Sequence, residues 1–173
     1  MLFKVFGAIL ILTSSTLTGI CYKRKYSIYI RELENFSSCL DVLSNEISLS
    51  LKNLYDSLSN TNNYASEFNH IFFDDLLRML QNSDGETISY IWCRCLDENI
   101  TFKLIYAKDD INDFKEFGNL LSSGDTQIHL KNIKNLKIKL ENKVNTLKLK
   151  KEKVSVIGKL GVYFGAAIVI MLI

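Results

Sequence analysis

The chain has 173 residues, of which 47% are hydrophobic, with no proline, eight glycines and a net charge of +2. This length fits one compact domain, and the scarcity of turn-forming residues argues against a sheet-rich fold. The four cysteines contain no Cys-x-x-Cys pair, which excludes the usual zinc and dithiol motifs. We therefore expect an all-α protein with free thiols and no cofactor.

The small net charge hides a strong segregation along the sequence. Residues 131–153, here called the basic stalk, hold nine lysines and two glutamates, while residues 56–125, the acidic body, hold thirteen acids and five bases. The basic stalk favours attraction to anionic lipid head groups, with an acidic protein partner or a solvated helix face as alternatives. A nucleic-acid partner is the weaker interpretation, because no aromatic residues alternate with the lysines.

The N-terminal segment is strongly apolar. Between Lys4 and Lys23 lie 18 uncharged residues, about 27 Å of helix and just enough to span a bilayer. We predict a transmembrane segment at 1–22. A cleaved signal peptide is the alternative, but the basic residues after the apolar run (Lys23, Arg24, Lys25) outnumber those before it, which favours retention.

A helical domain is predicted for residues 23–153. Helical spacing of apolar residues over 26–58 predicts one long helix, or two with a weak break within 46–53. A turn at 60–63 should cap the next helix. The buried stripe of that helix is predicted to comprise Tyr64, Phe68, Phe72, Leu76 and Met79 or Leu80.

Three further helix starts follow in the chain. Thr87 is expected to cap a helix that carries Ile88, Ile91, Trp92 and Leu96. A loop then runs from Asn99 through Tyr106, and either Asp109 or Asp110 should cap a helix containing Phe114 and Phe117. Asp125 should cap the final helix, whose buried face is predicted to contain Ile133, Leu136, Leu140, Val144 and Leu147.

The final helix is predicted to run over 126–173 and to end in a second transmembrane segment at 154–173. The uncharged part of that segment has only 14 residues, which is short for a bilayer. Gly158, Gly161 and Gly165 would give it a smooth side for packing against another membrane helix, although incidental glycines are nearly as good an interpretation. Lysines and arginines flank the inner ends of both segments, which predicts a cytoplasmic central domain.

Candidates for catalysis are sparse. His70 and Asp74 lie four residues apart and could pair on one helix face, but two ligands do not close a metal site. No glycine-rich phosphate loop is present. We expect a protein that is not an enzyme, with a hydrolase using His70 and Asp74, or a nucleic-acid binder using the basic stalk, as the alternatives.

At several positions the sequence resembles the stage III sporulation protein AB family of endospore-forming bacteria. The resemblance is carried by the Phe117-Gly118 pair with Leu121, Asp125 and Ile133, and it extends over nearly the whole length. Further matching positions are Leu40, Leu43, Glu46, Ile47, Trp92 and the Lys159-Leu160-Gly161 run.

The resemblance implies a membrane protein of the mother cell, in the secretion-like channel assembly that links it to the forespore. It also implies a helical domain like those of type II secretion inner-membrane platform proteins. The implied partners are other stage III sporulation proteins, among them the ATPase called stage III sporulation protein AA, together with membrane lipids and not nucleic acid.

Overall fold

Seven helices make up the part of the chain that the structure describes. The computed structural model describes residues 2–49, 54–83, 85–121 and 125–172, and beyond residue 153 it describes the backbone alone. The helices are α1 (Leu2–Leu49), α2 (Leu54–Asn62), α3 (Glu67–Gln81), α4 (Ile88–Glu98), α5 (Ile100–Ile105), α6 (Lys108–Leu120) and α7 (Thr126–Leu172). These ranges contain no strand, and the all-α prediction is confirmed.

The chain divides into two compact units. One, the terminal unit, combines Met1–Ile30 with Asn145–Ile173, and the other, the central unit, is Arg31–Val144. Helices α1 and α7 therefore contribute residues to both units.

Aromatic side chains form the core of the central unit. The ring of Phe36 on α1 lies 4.5 Å from that of Phe114 on α6 and stacks at 5.8 Å on that of Phe73 on α3. Aliphatic side chains from the same helices and from α7 complete the core, in keeping with the predicted helical stripes. The buried apolar residues include Leu33, Leu40, Leu43, Leu58, Leu76, Ile91, Leu96, Phe102, Ile133, Leu136 and Leu140.

A buried polar network joins α1 to α3 and α5. The carboxylate of Glu32, which is fully buried, accepts hydrogen bonds from Arg31 at 2.9 and 3.1 Å and from the hydroxyl of Ser66. The Tyr106 hydroxyl lies 3.0 Å from the Glu32 carbonyl and 2.6 Å from Asn69 Oδ1. Burial, reinforced by the Glu32 carboxylate, raises the pKa of Tyr106 well above its ordinary value. Because every member has a partner, the network fixes how these helices meet.

Several predicted boundaries agree with the structure. The predicted break within 46–53 agrees with two helices, since α1 ends at Leu49 and α2 begins at Leu54, with residues 50–53 outside the described ranges. The Thr87 side chain accepts from the backbone N–H of Tyr90 and caps α4. The Asp125 carboxylate accepts from the N–H of Gln127 at 2.8 Å and caps α7. The four cysteines are free.

Other local predictions are wrong. Helix α2 continues to Asn62, so the turn comes later than 60–63, and Tyr64 lies in it with 65% of its surface exposed rather than in the stripe of α3. The predicted loop after Asn99 is helix α5, whose first turn is capped by the Asn99 side chain accepting from the N–H of Phe102 at 2.8 Å. Neither Asp109 nor Asp110 is the N-cap of α6: the N-cap is Ala107, whose N–H donates to the Asp110 carboxylate.

In the ranges that the structure describes, no helix combines the length and the apolar character needed to cross a membrane. The predictions of transmembrane segments at 1–22 and 154–173 are not confirmed.

Candidate functional site

The residues of the Phe-Gly motif meet the single tryptophan. Trp92 on α4 is fully buried, and its indole N–H donates to the Phe114 carbonyl at 2.9 Å, one turn before Gly118 on α6. A Cβ placed on Gly118 would lie 2.7 Å from Cγ of this indole, far closer than side chains pack. The Phe117 ring meets the indole edge-on at 5.4 Å. Glycine at 118 is therefore needed for α4 and α6 to approach each other.

The other motif positions also support the fold. Leu40, Leu43, Leu121 and Ile133 are buried, and Ile47 is half-buried. The Glu46 carboxylate accepts from the Asn60 amide at 3.1 Å, which ties α1 to α2. Asp125 is the cap of α7 described above. Gly158, Gly161 and Gly165 lie in helical backbone of α7, but their surroundings fall outside the side chains that the structure describes.

Part of the basic stalk is engaged by acids of the central unit. Lys137 Nζ lies 2.7 and 2.8 Å from the two oxygens of Asp41, and Lys139 Nζ lies 2.7 Å from Asp113 and 2.8 Å from Glu116. Hydrogen bonding to Asp41 raises the pKa of Lys137, and hydrogen bonding to Asp113 raises that of Lys139.

Lys143 of the basic stalk pairs with a carboxylate in the interior. Lys143 forms an ion pair with Asp110, whose side chain is 1% exposed. Lys137, Lys139 and Lys143 are therefore engaged by acids of this chain, and the attraction of the basic stalk to anionic lipids stays a prediction. Sequence reasoning missed these pairs because their partners are far away in the chain.

The most exposed large apolar side chains of the central unit's described residues lie on α5. Ile100 is 73% exposed and Leu104 is 75% exposed. They are four residues apart and so share one face of the helix. Asp97 and Glu98, both exposed, directly precede this helix. An apolar pair with a polar rim is the usual composition of a protein-docking surface, and we call Ile100 and Leu104 the α5 face.

His70 and Asp74 do meet on α3. His70 Nε2 lies 3.1 Å from Asp74 Oδ2, and both side chains are about half exposed. The Asn62 amide donates to the other oxygen of Asp74 at 2.6 Å, and His70 Nδ1 lies 3.4 Å from the Asn62 carbonyl. The pair thus bridges the end of α2 to α3. Over the described part of the chain, no group of three or more histidine, cysteine or acidic side chains could hold a metal ion.

Comparison with protein families gives one finding. The model of a family described as stage III sporulation protein AB matches residues 4–173, which is nearly the whole chain. Comparisons with curated proteins and with solved structures gave no match.

Proposed function

Because the chain belongs to the stage III sporulation protein AB family, we propose that it acts in stage III of sporulation as a docking component. In this proposal the protein is held at the mother-cell membrane around the forespore, in the secretion-like channel assembly. Its central unit faces the cytoplasm and binds the partner ATPase, stage III sporulation protein AA.

The observation that carries this proposal is the role of the motif residues. Trp92, Phe117 and Gly118 pack against one another, and Asp125 caps a helix. The features shared with the family thus maintain the shape of the central unit. In this proposal the central unit presents that shape to partners, and the contact itself is argued from its exposed surface.

The α5 face is the surface that we assign to the ATPase. Binding energy concentrates in a few large side chains that become buried at the centre of an interface. Ile100 and Leu104 are large and more than two-thirds exposed, so a partner would remove much apolar surface from water there. Asp97 and Glu98 beside them are paired with Lys115 and Arg94 of this chain, at 2.6 and 2.8 Å, so the apolar pair supplies the contact and these ion pairs form its polar rim.

The direct test is co-purification of the full-length protein with the ATPase from sporulating cells. The variant Ile100→Glu/Leu104→Glu should lose the ATPase while its expression and helical content stay unchanged. The matched control Ile71→Glu/Ile128→Glu adds the same charge at two other exposed isoleucines and should retain the ATPase. Equal recovery with the α5 variant and the wild type would contradict the assignment.

The proposed location is tested separately by fractionation. The full-length protein should sediment with mother-cell membranes, and an alkaline carbonate wash distinguishes an inserted protein from one bound at the surface. Recovery of the protein in the soluble fraction before any wash would argue against a membrane location.

A further inference from the structure

The two compact units also differ strongly in charge. The terminal unit contains nine basic residues and one acid, Glu152, whereas the central unit contains twelve basic residues and eighteen acids. The net charges are therefore +8 and −6. The terminal unit is the basic part of the molecule, and it has almost no acid of its own to neutralise it.

Six lysines of α7 differ in their partners between the two units. Lys137, Lys139 and Lys143, in the central unit, each form an ion pair with an acid from another helix. Lys150, Lys151 and Lys153, in the terminal unit, make no such pair with any described residue. Lys150 and Lys153 are exposed and Lys151 is half-buried. The first group is already engaged by acids, whereas the charges of the second are available to a ligand, as are those of the exposed Lys131 and Lys134 in the central unit.

Helix α1 supplies a second group of cations to the terminal unit. Lys23, Arg24 and Lys25 are exposed, and they too lack an ion pair among the described residues. Consecutive residues are about 100° apart around an α-helix, so three in a row span about 200° of its circumference. Such a collar suits a helix that approaches a charged layer end-on rather than one that binds a ligand along a single face.

We propose that these six residues, Lys23, Arg24, Lys25, Lys150, Lys151 and Lys153, form a basic collar that binds the phosphate head groups of anionic phospholipids. The inference deepens the proposed membrane location and rests on it. Clusters of basic residues beside membrane segments are attracted to anionic lipid surfaces, and the attraction weakens with salt.

Lipid is favoured over nucleic acid by composition. Proteins that bind single strands stack bases on aromatic side chains placed between the cations. The run at 150–153 has no aromatic residue, and Tyr22 and Tyr26 flank the run at 23–25 but do not lie between its cations; duplex DNA is left to the test below. Each basic residue near an anionic membrane strengthens binding roughly fivefold. Removing three charges should therefore weaken binding on the order of 100-fold.

The experiment uses the full chain, synthesised in a cell-free system with vesicles present and then floated through a density gradient. Neutral vesicles contain phosphatidylcholine alone, and anionic vesicles contain phosphatidylcholine and phosphatidylglycerol in equal parts. Two variants remove three charges each, Lys150→Gln/Lys151→Gln/Lys153→Gln and Lys23→Gln/Arg24→Gln/Lys25→Gln. The matched control Lys108→Gln/Lys131→Gln/Lys134→Gln removes three exposed charges from the central unit.

The wild type and the control should bind anionic vesicles better than neutral ones, with the preference decreasing as salt rises. Each collar variant should keep the helical content of the wild type and should lose on the order of 100-fold of that preference, and a variant that combines all six substitutions should lose nearly all of it. If the wild type binds neutral and anionic vesicles equally, the basic collar is overturned but the membrane location stands. If the wild type binds neither kind of vesicle, both the collar and the membrane location are contradicted. A labelled DNA duplex that binds through the same six residues in preference to anionic vesicles would also overturn it.

Discussion

Glycine 118 shows how one residue without a side chain determines a helix contact. The Trp92 indole occupies the space where a Cβ would stand, and its N–H satisfies the Phe114 carbonyl. The contact is thus both tightly packed and hydrogen-bonded. The same two helices, α4 and α6, are also joined by the Ser89 hydroxyl, which donates to Asn119 Oδ1 at 3.1 Å.

Gly118→Ala should destabilise the central unit by about 1–3 kcal/mol, the usual cost of overpacking a filled core. Either the indole must move and lose its bond to Phe114, or α6 must shift away from α4. Chemical unfolding of the full chain in mild detergent measures the loss. Gly19→Ala is the control, because a Cβ there meets nothing within 4 Å; equal stability of both variants would contradict the packing argument.

Because two thiols are buried, the free energy of unfolding should depend on pH in the alkaline range. Burial raises the pKa of Cys39 and of Cys95 from 9.0 to about 12. In the unfolded chain these thiols lose their protons near the ordinary value, whereas in the folded chain they keep them. Folding stability should therefore be complete below about pH 9 and should fall as pH rises towards 12, by up to about 1.4 kcal/mol per pH unit for each thiol.

The measurement is the free energy of unfolding at about pH 8 and about pH 10 for the wild type and for Cys39→Ala/Cys95→Ala. The wild type should lose more stability over this interval than the variant. Tyr106, whose pKa is also raised, acts in the same direction in both proteins, so the difference isolates the thiols. An identical pH dependence in both would show that these thiols are not buried as described.

At the scale of elements, α7 is joined to the rest of the central unit by ion pairs that differ in burial. The Lys143 pair involves an almost fully buried carboxylate, whereas Asp41, the partner of Lys137, is 54% exposed. Exposed pairs contribute little because water and salt screen them, but a buried carboxylate is costly when its cation is removed.

Lys143→Gln should therefore cost about 3 kcal/mol of stability, and Lys137→Gln under about 1 kcal/mol. Thermal or chemical unfolding of the two variants at the same salt concentration gives the comparison. Adding Asp110→Asn to Lys143→Gln should recover part of the loss, because the buried charge is then removed as well. A larger loss of stability in Lys137→Gln than in Lys143→Gln would mean that the Asp110 carboxylate is not buried as described.

Features determined within one turn of helix could be predicted from the sequence, and contacts between distant helices could not. Thr87 and Asp125 act as caps, and the stripe from Ile133 to Val144 is buried, because caps and apolar spacing are local. The Lys137 and Asp41 pair joins residues 96 positions apart, and no local pattern marks such partners. Helix α5 was predicted as a loop because six residues are too few to show a helical period.

The same distinction applies to the candidate site. The sequence identifies Trp92, Phe117 and Gly118 as motif residues, but only the structure shows that they touch. It also identifies the basic stalk correctly as a run of lysines. Which of them are neutralised by acids depends on the packing of the central unit, so the collar could not be separated from the stalk in advance.

At the scale of the whole molecule, different surfaces have different proposed tasks. The motif residues maintain the central unit, the α5 face is proposed to bind the ATPase, and the basic collar is proposed to bind anionic lipid. In this proposal the protein would hold its partners in position within the channel assembly, and the ATPase would supply the energy.

The most direct measurement is the count of heat-resistant spores formed by a host whose own gene is deleted and replaced by variants of this chain. We expect the His70→Ala/Asp74→Ala variant to restore the spore count to that of the wild type, because the pair only bridges α2 to α3. Ile100→Glu/Leu104→Glu, at equal protein level, should not. The docking proposal would be contradicted if the α5 variant gave the full spore count while a folded His70→Ala/Asp74→Ala variant gave few spores. That result would favour catalysis.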